Sequence, residues 1–412
     1  MSRRLELDIL YWCTRAAIIL LLPLFISDVY LYEEYANKLL REGLIPYKQW
    51  DLEYPPLAYP FMLVPGLLHK WLGLHGTESF RVLFGLLLLP FDFLLFRFYR
   101  SFPPFRGAAF AYILLTTAMG LLVFDSFDLV VGFLLAFPFL VRSGGEPRDW
   151  RFLWAWGLGG ALKLVPLALA PFPPLFWKEF RFSRFLKYGL LISLPFAIAC
   201  GSAALLAGGK ISFLSHHSER GVQIESLVGS VLMGAQSYFK LVNTAVDTNF
   251  GAQHIGDVKG AVTSSRVLFY GTLALAYFFL WWGRRSRDSL ISSWILISGF
   301  VTFGYVLSPQ FLLWLIPLAL IAACRVPAGG KRAIWLLTFC SAVLLTGVHF
   351  RFYWDYVNLY RLSVSAVIVR NLLLILLWGL SWRWMRAPVI AQPAEITDQK
   401  NPAVIYIGPP LL

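Results

Sequence analysis

The sequence predicts an all-α polytopic integral membrane protein with about twelve transmembrane helices, some of them short or broken. Three observations predict it. Charged residues make up 14% of 412, far below the quarter usual in soluble domains, so too few remain to cover a water-facing surface. Hydrophobic residues reach 58% and aromatics 17%, with a mean hydropathy of +0.65, as in a chain solvated by lipid with aromatic belts at its interfaces. The basic residues also gather in alternate loops, which is an orientation signal. A soluble enzyme, a disordered chain and a disulfide scaffold are excluded on these grounds. Cys13, Cys200, Cys324 and Cys340 all lie in apolar runs without metal-ligand spacing and read as packed thiols.

Taken in order, the first apolar run is 9–26. Arg3 and Arg4 precede it and no small-residue cleavage site follows, so it is expected to remain as an anchor. Further runs are 79–96, 107–124, 129–141, 188–208, 267–282, 333–348 and 362–382. The stretch 290–324 is too long for one crossing, and Ser308-Pro309-Gln310 in its middle reads as a turn between two. Two segments are ambiguous until charge is considered. If 57–74 crossed the membrane, Arg97, Arg100 and Arg106 would lie outside. If 150–177 crossed as one helix, Lys178, Arg181, Arg184 and Lys187 would lie outside. The positive-inside rule disfavours both, so 57–74 is expected at the outer interface and 150–177 as a hairpin broken near Lys163. Inner loops then hold well over half of the 36 Lys and Arg but only about a third of the 23 Asp and Glu. Both termini fall on the cytoplasmic side, and the net charge of +13 is an orientation signal that calls for no nucleic-acid partner. Residues 1–386 form a single membrane domain, and the Pro-rich, aperiodic segment 387–412 reads as a disordered cytoplasmic tail.

The outer face carries three long connections, 27–77, 209–266 and 350–361. In the first, Val29, Tyr32, Ala36, Leu39 and Leu40 recur at helical spacing opposite Glu33, Glu34, Lys38 and Arg41, which predicts an amphipathic helix at the interface. Gly43 suits its C-terminal cap and Pro46 prevents it from resuming. Asp28 stands at the head of that helix. Its carboxylate either caps the helix or, partly desolvated beside lipid, serves as a general base.

The ordered set Asp28-x-x-x-Tyr32-x-x-Tyr35-Ala36, Gly43-x-x-Pro46-Tyr47 and Glu53-Tyr54-Pro55-Pro56-Leu57, placed directly after a first membrane helix, resembles the first outer loop of GT-C-fold glycosyltransferases that use lipid-linked sugars. More narrowly it resembles glycosyltransferase family 87, the polyprenol-phosphate-mannose-dependent α-mannosyltransferases. Three later stretches are similar to segments of that family: the Gly-rich run from Gly159 to Pro166 around Lys163, the outer stretch from His217 through Arg220 and Glu225 to Leu227, and Ser308-Pro309-Gln310-Phe311-Leu312-Leu313-Trp314. The resemblance covers roughly residues 9–325, and the C-terminal spans match only in character.

The resemblance implies a sugar transfer on the extracytoplasmic face of a bacterial or archaeal membrane. The donor is a polyprenyl-phosphate sugar and the acceptor a glycolipid or lipid-linked saccharide. Asp28 would deprotonate the acceptor hydroxyl, which displaces polyprenyl phosphate from C1 with inversion. Lys163, His217 and Arg220 would meet the donor phosphate. Gln310 would hydrogen-bond substrate, or satisfy carbonyls freed by Pro309. Tyr32, Tyr47, Glu53 and Tyr54 would support the first loop, Glu53 by orienting a sugar hydroxyl or capping a helix. Lys163 has a second reading as a side chain snorkelling from a short helix end. Glu225 reads as a partner for Arg220, Asp128 beside Asp125 as a second acidic candidate, and Asp92 and Arg370 as buried partners inside spans, with Arg370 also able to meet the donor phosphate. His216, His217 and Glu219 lack metal-ligand spacing, so no metal or other cofactor is expected beyond the donor itself. A lipid or sugar transporter or flippase is the rival class. It would ordinarily show paired repeats, and none is evident here.

Overall fold

Helix α1 (Arg3–Leu21) starts six residues before the apolar run that predicts it, and carries Asp8 and Arg15 with it. Both charges find partners on α4 (Thr77–Ser101). Asp8 accepts from Arg100 at 2.6 Å, and Arg15 forms a forked pair with Asp92 at 2.8 and 3.1 Å. Tyr11 and Tyr112 donate to the same carboxylate, and Arg15 also donates to Thr116. With its hydrogen-bonding positions filled, this ion pair is tolerated in an apolar interior. Asp92 is thus a buried structural partner, as its position inside a span suggests.

The computed structural model describes residues 3–22, 28–140, 153–169, 182–209, 211–214, 220–249, 251–256, 258, 260–282 and 289–385. They are mostly helical. After α1 come α2 (Val29–Leu40) and α3 (Ala58–Trp71), which pack against each other and against α4. The apolar face of α2 buries Val29, Tyr32, Tyr35 and Ala36, which matches the amphipathic pattern. Helix α3 has 14 residues and is about 21 Å long.

Then follow α5 (Ala108–Met119), α6 (Leu122–Asp125), α7 (Asp128–Leu140) and α8 (Trp154–Leu162). The run 107–124 divides at Gly120, whose φ of +58° ends α5. Helix α8 stops at Lys163, whose extended backbone breaks the run where the hairpin is expected, and a short 3₁₀ turn covers Val165–Leu169. The rest of the return limb, 170–177, lies outside the described residues.

The second half comprises α9 (Phe182–Ala207), α10 (Leu227–Gly234), α11 (Ala261–Trp282), α12 (Ser289–Phe303), α13 (Leu312–Ala322), α14 (Gly330–Arg351), α15 (Tyr353–Val357) and α16 (Arg361–Trp384). The break expected at Ser308-Pro309-Gln310 is present, with a 3₁₀ turn over Pro309–Phe311. Helix α13 runs beside α7 so closely that a Cβ on Gly132 would collide with the Leu313 carbonyl. Among the described residues four helical stretches are long and apolar enough to cross a membrane: Thr77–Ser101, Leu186–Ala207, Gly330–Arg351 and Arg361–Trp384. Other apolar helices are shorter, Asp128–Leu140 and Ser289–Phe303 among them.

One element departs from an all-α reading. Strands β1 (Val246–Asn249) and β2 (Ala252–Ile255) form an antiparallel hairpin in the connection 209–266, with Asp247 opposite His254. The segment Val222–Ile224 adds to its edge: Ile224 N–H donates to Gln253 O, and Ile255 N–H donates to Val222 O. Gln223 N–H reaches Tyr305 O, three residues before Ser308. A second, smaller apolar core of Val222, Ile224, Met233, Ile255, Tyr356, Val364 and Val367 fastens this layer to α16.

Candidate active site

The carboxylate at Asp28 does not cap α2. Its backbone oxygen accepts the first helical N–H groups, from Leu31 and Tyr32, but its side chain makes no cap bond. Instead Gln310 Nε2 donates to Asp28 Oδ2 at 3.0 Å. The amide is oriented from behind, because the Ser308 hydroxyl donates to Gln310 Oε1 at 2.8 Å. The Pro309 break therefore presents one amide donor to one carboxylate across most of the chain.

Asp128, at the start of α7, is the second acid here. It is fully buried and accepts Lys163 Nζ at 2.7 and 2.8 Å, Trp314 Nε1 at 2.6 Å and the Ser126 hydroxyl. The end of α8 delivers that ammonium: an extended Lys163 turns its side chain into the protein, among the rings of Phe127, Phe311 and Trp314 at 5.2–5.7 Å. Lys163 is thus an inward ion-pair partner and does not snorkel.

The first loop supplies the third acid. Glu53 is buried and accepts Arg220 Nη2 at 3.0 Å. Tyr47 holds the loop closed. Its backbone takes the left-handed region, φ +62°, and its hydroxyl donates to Tyr54 O. Leu57 N–H donates to Ala161 O at 3.0 Å, which ties the loop to α8 two residues before Lys163. Tyr32 packs on Phe127 at 5.4 Å and meets Tyr54 edge-on at 5.7 Å. The Tyr32 hydroxyl is buried and faces the Tyr54 side chain, too loosely placed there for a well-formed hydrogen bond.

Electrostatics set Asp28 apart. Loss of water around its carboxylate is the largest cause of a raised pKa, with the charges of Asp128 and Glu53 adding to it. Lys163 and Arg220 act the other way, and the balance leaves Asp28 pushed up to about 6. Such a group is mostly ionised at neutral pH yet basic enough to take a proton. Burial also pushes Tyr32 and Tyr54 well above the usual phenol range, so both hydroxyls stay protonated donors.

The fold therefore brings together Asp28, Tyr32, Glu53, Tyr54, Asp128, Lys163, Arg220 and Gln310, with Tyr47 bracing from the edge. His217 lies outside the described residues. Glu225 and Arg370 form a separate buried cluster. Glu225 faces His349 at 3.4 Å and not Arg220, whose partner is Glu53, while Arg370 and Asn371 donate to the Glu225 backbone oxygen at 2.6 and 3.2 Å. Arg370 thus clamps the segment that follows Arg220. Sequence reading passed over Phe127 as a wall and Trp314 as a donor to Asp128. Trp314 does stand in the quoted Ser308–Trp314 stretch, which was its signal.

Neither a family model, nor a curated protein, nor a solved structure matches the chain.

Proposed function

We propose that the chain is an integral membrane glycosyltransferase of the GT-C kind, similar to glycosyltransferase family 87. It moves a sugar, mannose by that resemblance, from polyprenyl phosphate to a hydroxyl of a glycolipid or lipid-linked acceptor. One observation carries the reading: Asp28 forgoes the cap position for an amide clamp inside a cluster that tunes it to about 6. A purely structural carboxylate at a helix head has no need of that arrangement.

In the proposed reaction the acceptor O–H gives its proton to Asp28, through the oxygen that Gln310 leaves free. The acceptor oxygen bonds to the sugar C1 as the bond from C1 to the phosphate oxygen breaks, and the electron pair leaves on polyprenyl phosphate. Inversion at C1 follows from the resemblance. Lys163 and Arg220, with His217, meet the leaving phosphate. Because Asp128 and Glu53 hold those two cations, they are fixed in place at the cost of part of their charge. The buried Tyr32 hydroxyl is a ready donor to a sugar or phosphate oxygen. About twelve crossings, cytoplasmic termini and an extracytoplasmic site complete the reading.

The test is transfer from labelled polyprenyl-phosphate mannose in membranes holding wild type, Asp28→Asn or Arg220→Ala. Loss of a positioned base lowers the rate by about 10²–10⁴. Full transfer by Asp28→Asn sinks the mechanism. Movement of the lipid across the membrane with no covalent product supports the transporter class instead.

A further inference from the structure

At the far end of α2, about 18 Å along the helix from Asp28, lies a cavity of about 160 Å³. It is lined by Asn37, Arg41, Gly66, His69, Lys70 and His75, with Leu40, Leu74 and Gly73 closing it. No Asp or Glu lines it; Glu42 follows Arg41, and Glu78, three positions after His75, turns its carboxylate back toward Gly76, and both stand outside the lining. Three features give it a chemical identity.

The first is charge. Arg41 and Lys70 approach from two different helices, and the negative end of α2 between them is already satisfied. Gly43 N–H and Leu44 N–H bond the Leu39 and Lys38 oxygens, and Lys70 Nζ donates to Leu40 O at 3.1 Å. That ammonium keeps two further N–H groups, and the exposed Arg41 guanidinium and His75 ring have no partner among the described residues. The second is size. The space holds about five water-sized groups, enough for a phosphodiester and too little for a whole lipid. The third is its setting. Val64, Leu67, Leu68, Trp71 and Leu72 stand exposed on and just after α3, Trp71 at 80%, beside the cavity mouth. A Trp and a row of aliphatic side chains next to cations are the marks of a surface seated at the headgroup level.

We infer that this cavity binds the phosphate of an anionic phospholipid, docking α2 and α3 onto the leaflet they face. The occupant is a bilayer lipid. The acyl chains lie along the exposed α3 side chains, and Arg41 and Lys70 share the phosphate oxygens. The inference rests on the membrane placement of α3 and not on the transferase reading, so either can fail alone.

The test uses the full-length protein in neutral detergent with phosphatidylglycerol, phosphatidylcholine and inorganic phosphate as probes, and retained lipid is counted by native mass spectrometry. Wild type retains phosphatidylglycerol in preference to phosphatidylcholine. The double variant Arg41→Gln/Lys70→Gln loses that retention by about five-fold per cation, the equivalent of about 1 kcal/mol for each charge near an anionic surface. Arg41→Lys/Lys70→Arg keeps it, which also controls for folding, and Lys48→Gln on the neighbouring loop changes nothing. Equal retention by the double Gln variant overturns the inference, as does loss in the charge-preserving variant. Displacement of the lipid by inorganic phosphate at the lipid's own concentration overturns the lipid as occupant.

Discussion

Gln310 offers the sharpest handle on the proposed base. Its amide donates to the Asp28 carboxylate at 3.0 Å, so it stabilises the ionised form. A hydrogen bond to a charged group is worth about 1.5–3 kcal/mol, and about 1.36 kcal/mol corresponds to one pH unit. Gln310→Leu removes that donor with little change of volume. Asp28 then holds its proton more tightly, and the pH at which it is half ionised rises from about 6 by roughly one to two units. The sign follows directly. The base works only when ionised, so wild-type transfer falls as pH drops through about 6, close to tenfold per unit below it. In Gln310→Leu the same acid limb moves upward and a large part of the activity at pH 7 is lost, yet a shift to more alkaline buffer restores it. The assay is the initial rate of transfer from the labelled donor in membranes between pH 5 and 9. A wild-type limb near 4, or a Gln310→Leu profile lowered uniformly without displacement, refutes the reasoning.

Other outcomes follow from the same cluster and its setting. Lys163→Met leaves the fully buried Asp128 carboxylate uncompensated and destabilises the protein by about 3–5 kcal/mol, whereas Lys163→Met/Asp128→Leu recovers much of the loss; thermal unfolding in detergent measures both. A chelator added to the transfer assay leaves the rate unchanged, and lost activity that returns with a divalent cation overturns the metal-free reading. On the proposed interfacial placement of 57–74, a topology reporter fused at Pro103 reads as cytoplasmic; an external reporter there breaks the orientation.

How far the sequence carried these conclusions depended on the range of the forces involved. Local chemistry was legible. The amphipathic α2, the interruption at Lys163 and the turn at Pro309 each followed from side chains within a few positions. The break at each of these positions is where the side chains place it. The partnerships were not legible. Asp28 meets Gln310 across 282 positions, Glu53 meets Arg220 across 167 and Asp128 meets Lys163 across 35. No periodicity records such pairings, because only the packed helices bring these groups together. This is why Lys163 also allowed a snorkelling reading and why Glu225 was assigned to Arg220. The β hairpin went unread because its strands are four residues each, too short to set up an alternation against the loop around them.

The Arg15–Asp92 pair imposes an order of events during synthesis. Arg15 emerges 77 residues ahead of its counter-charge, and at about 5–20 residues per second the ribosome needs several seconds to cover that interval. If α1 crosses the membrane as the sequence predicts, it holds through that time a guanidinium that costs about 2.5–3.5 kcal/mol at the centre of a lone membrane helix. On the proposed topology its final depth is settled only when α4 arrives, and the two helices enter the bilayer as a matched pair. A nascent chain halted before Asp92 should keep α1 extractable by alkaline carbonate, while one halted after Arg100 should not.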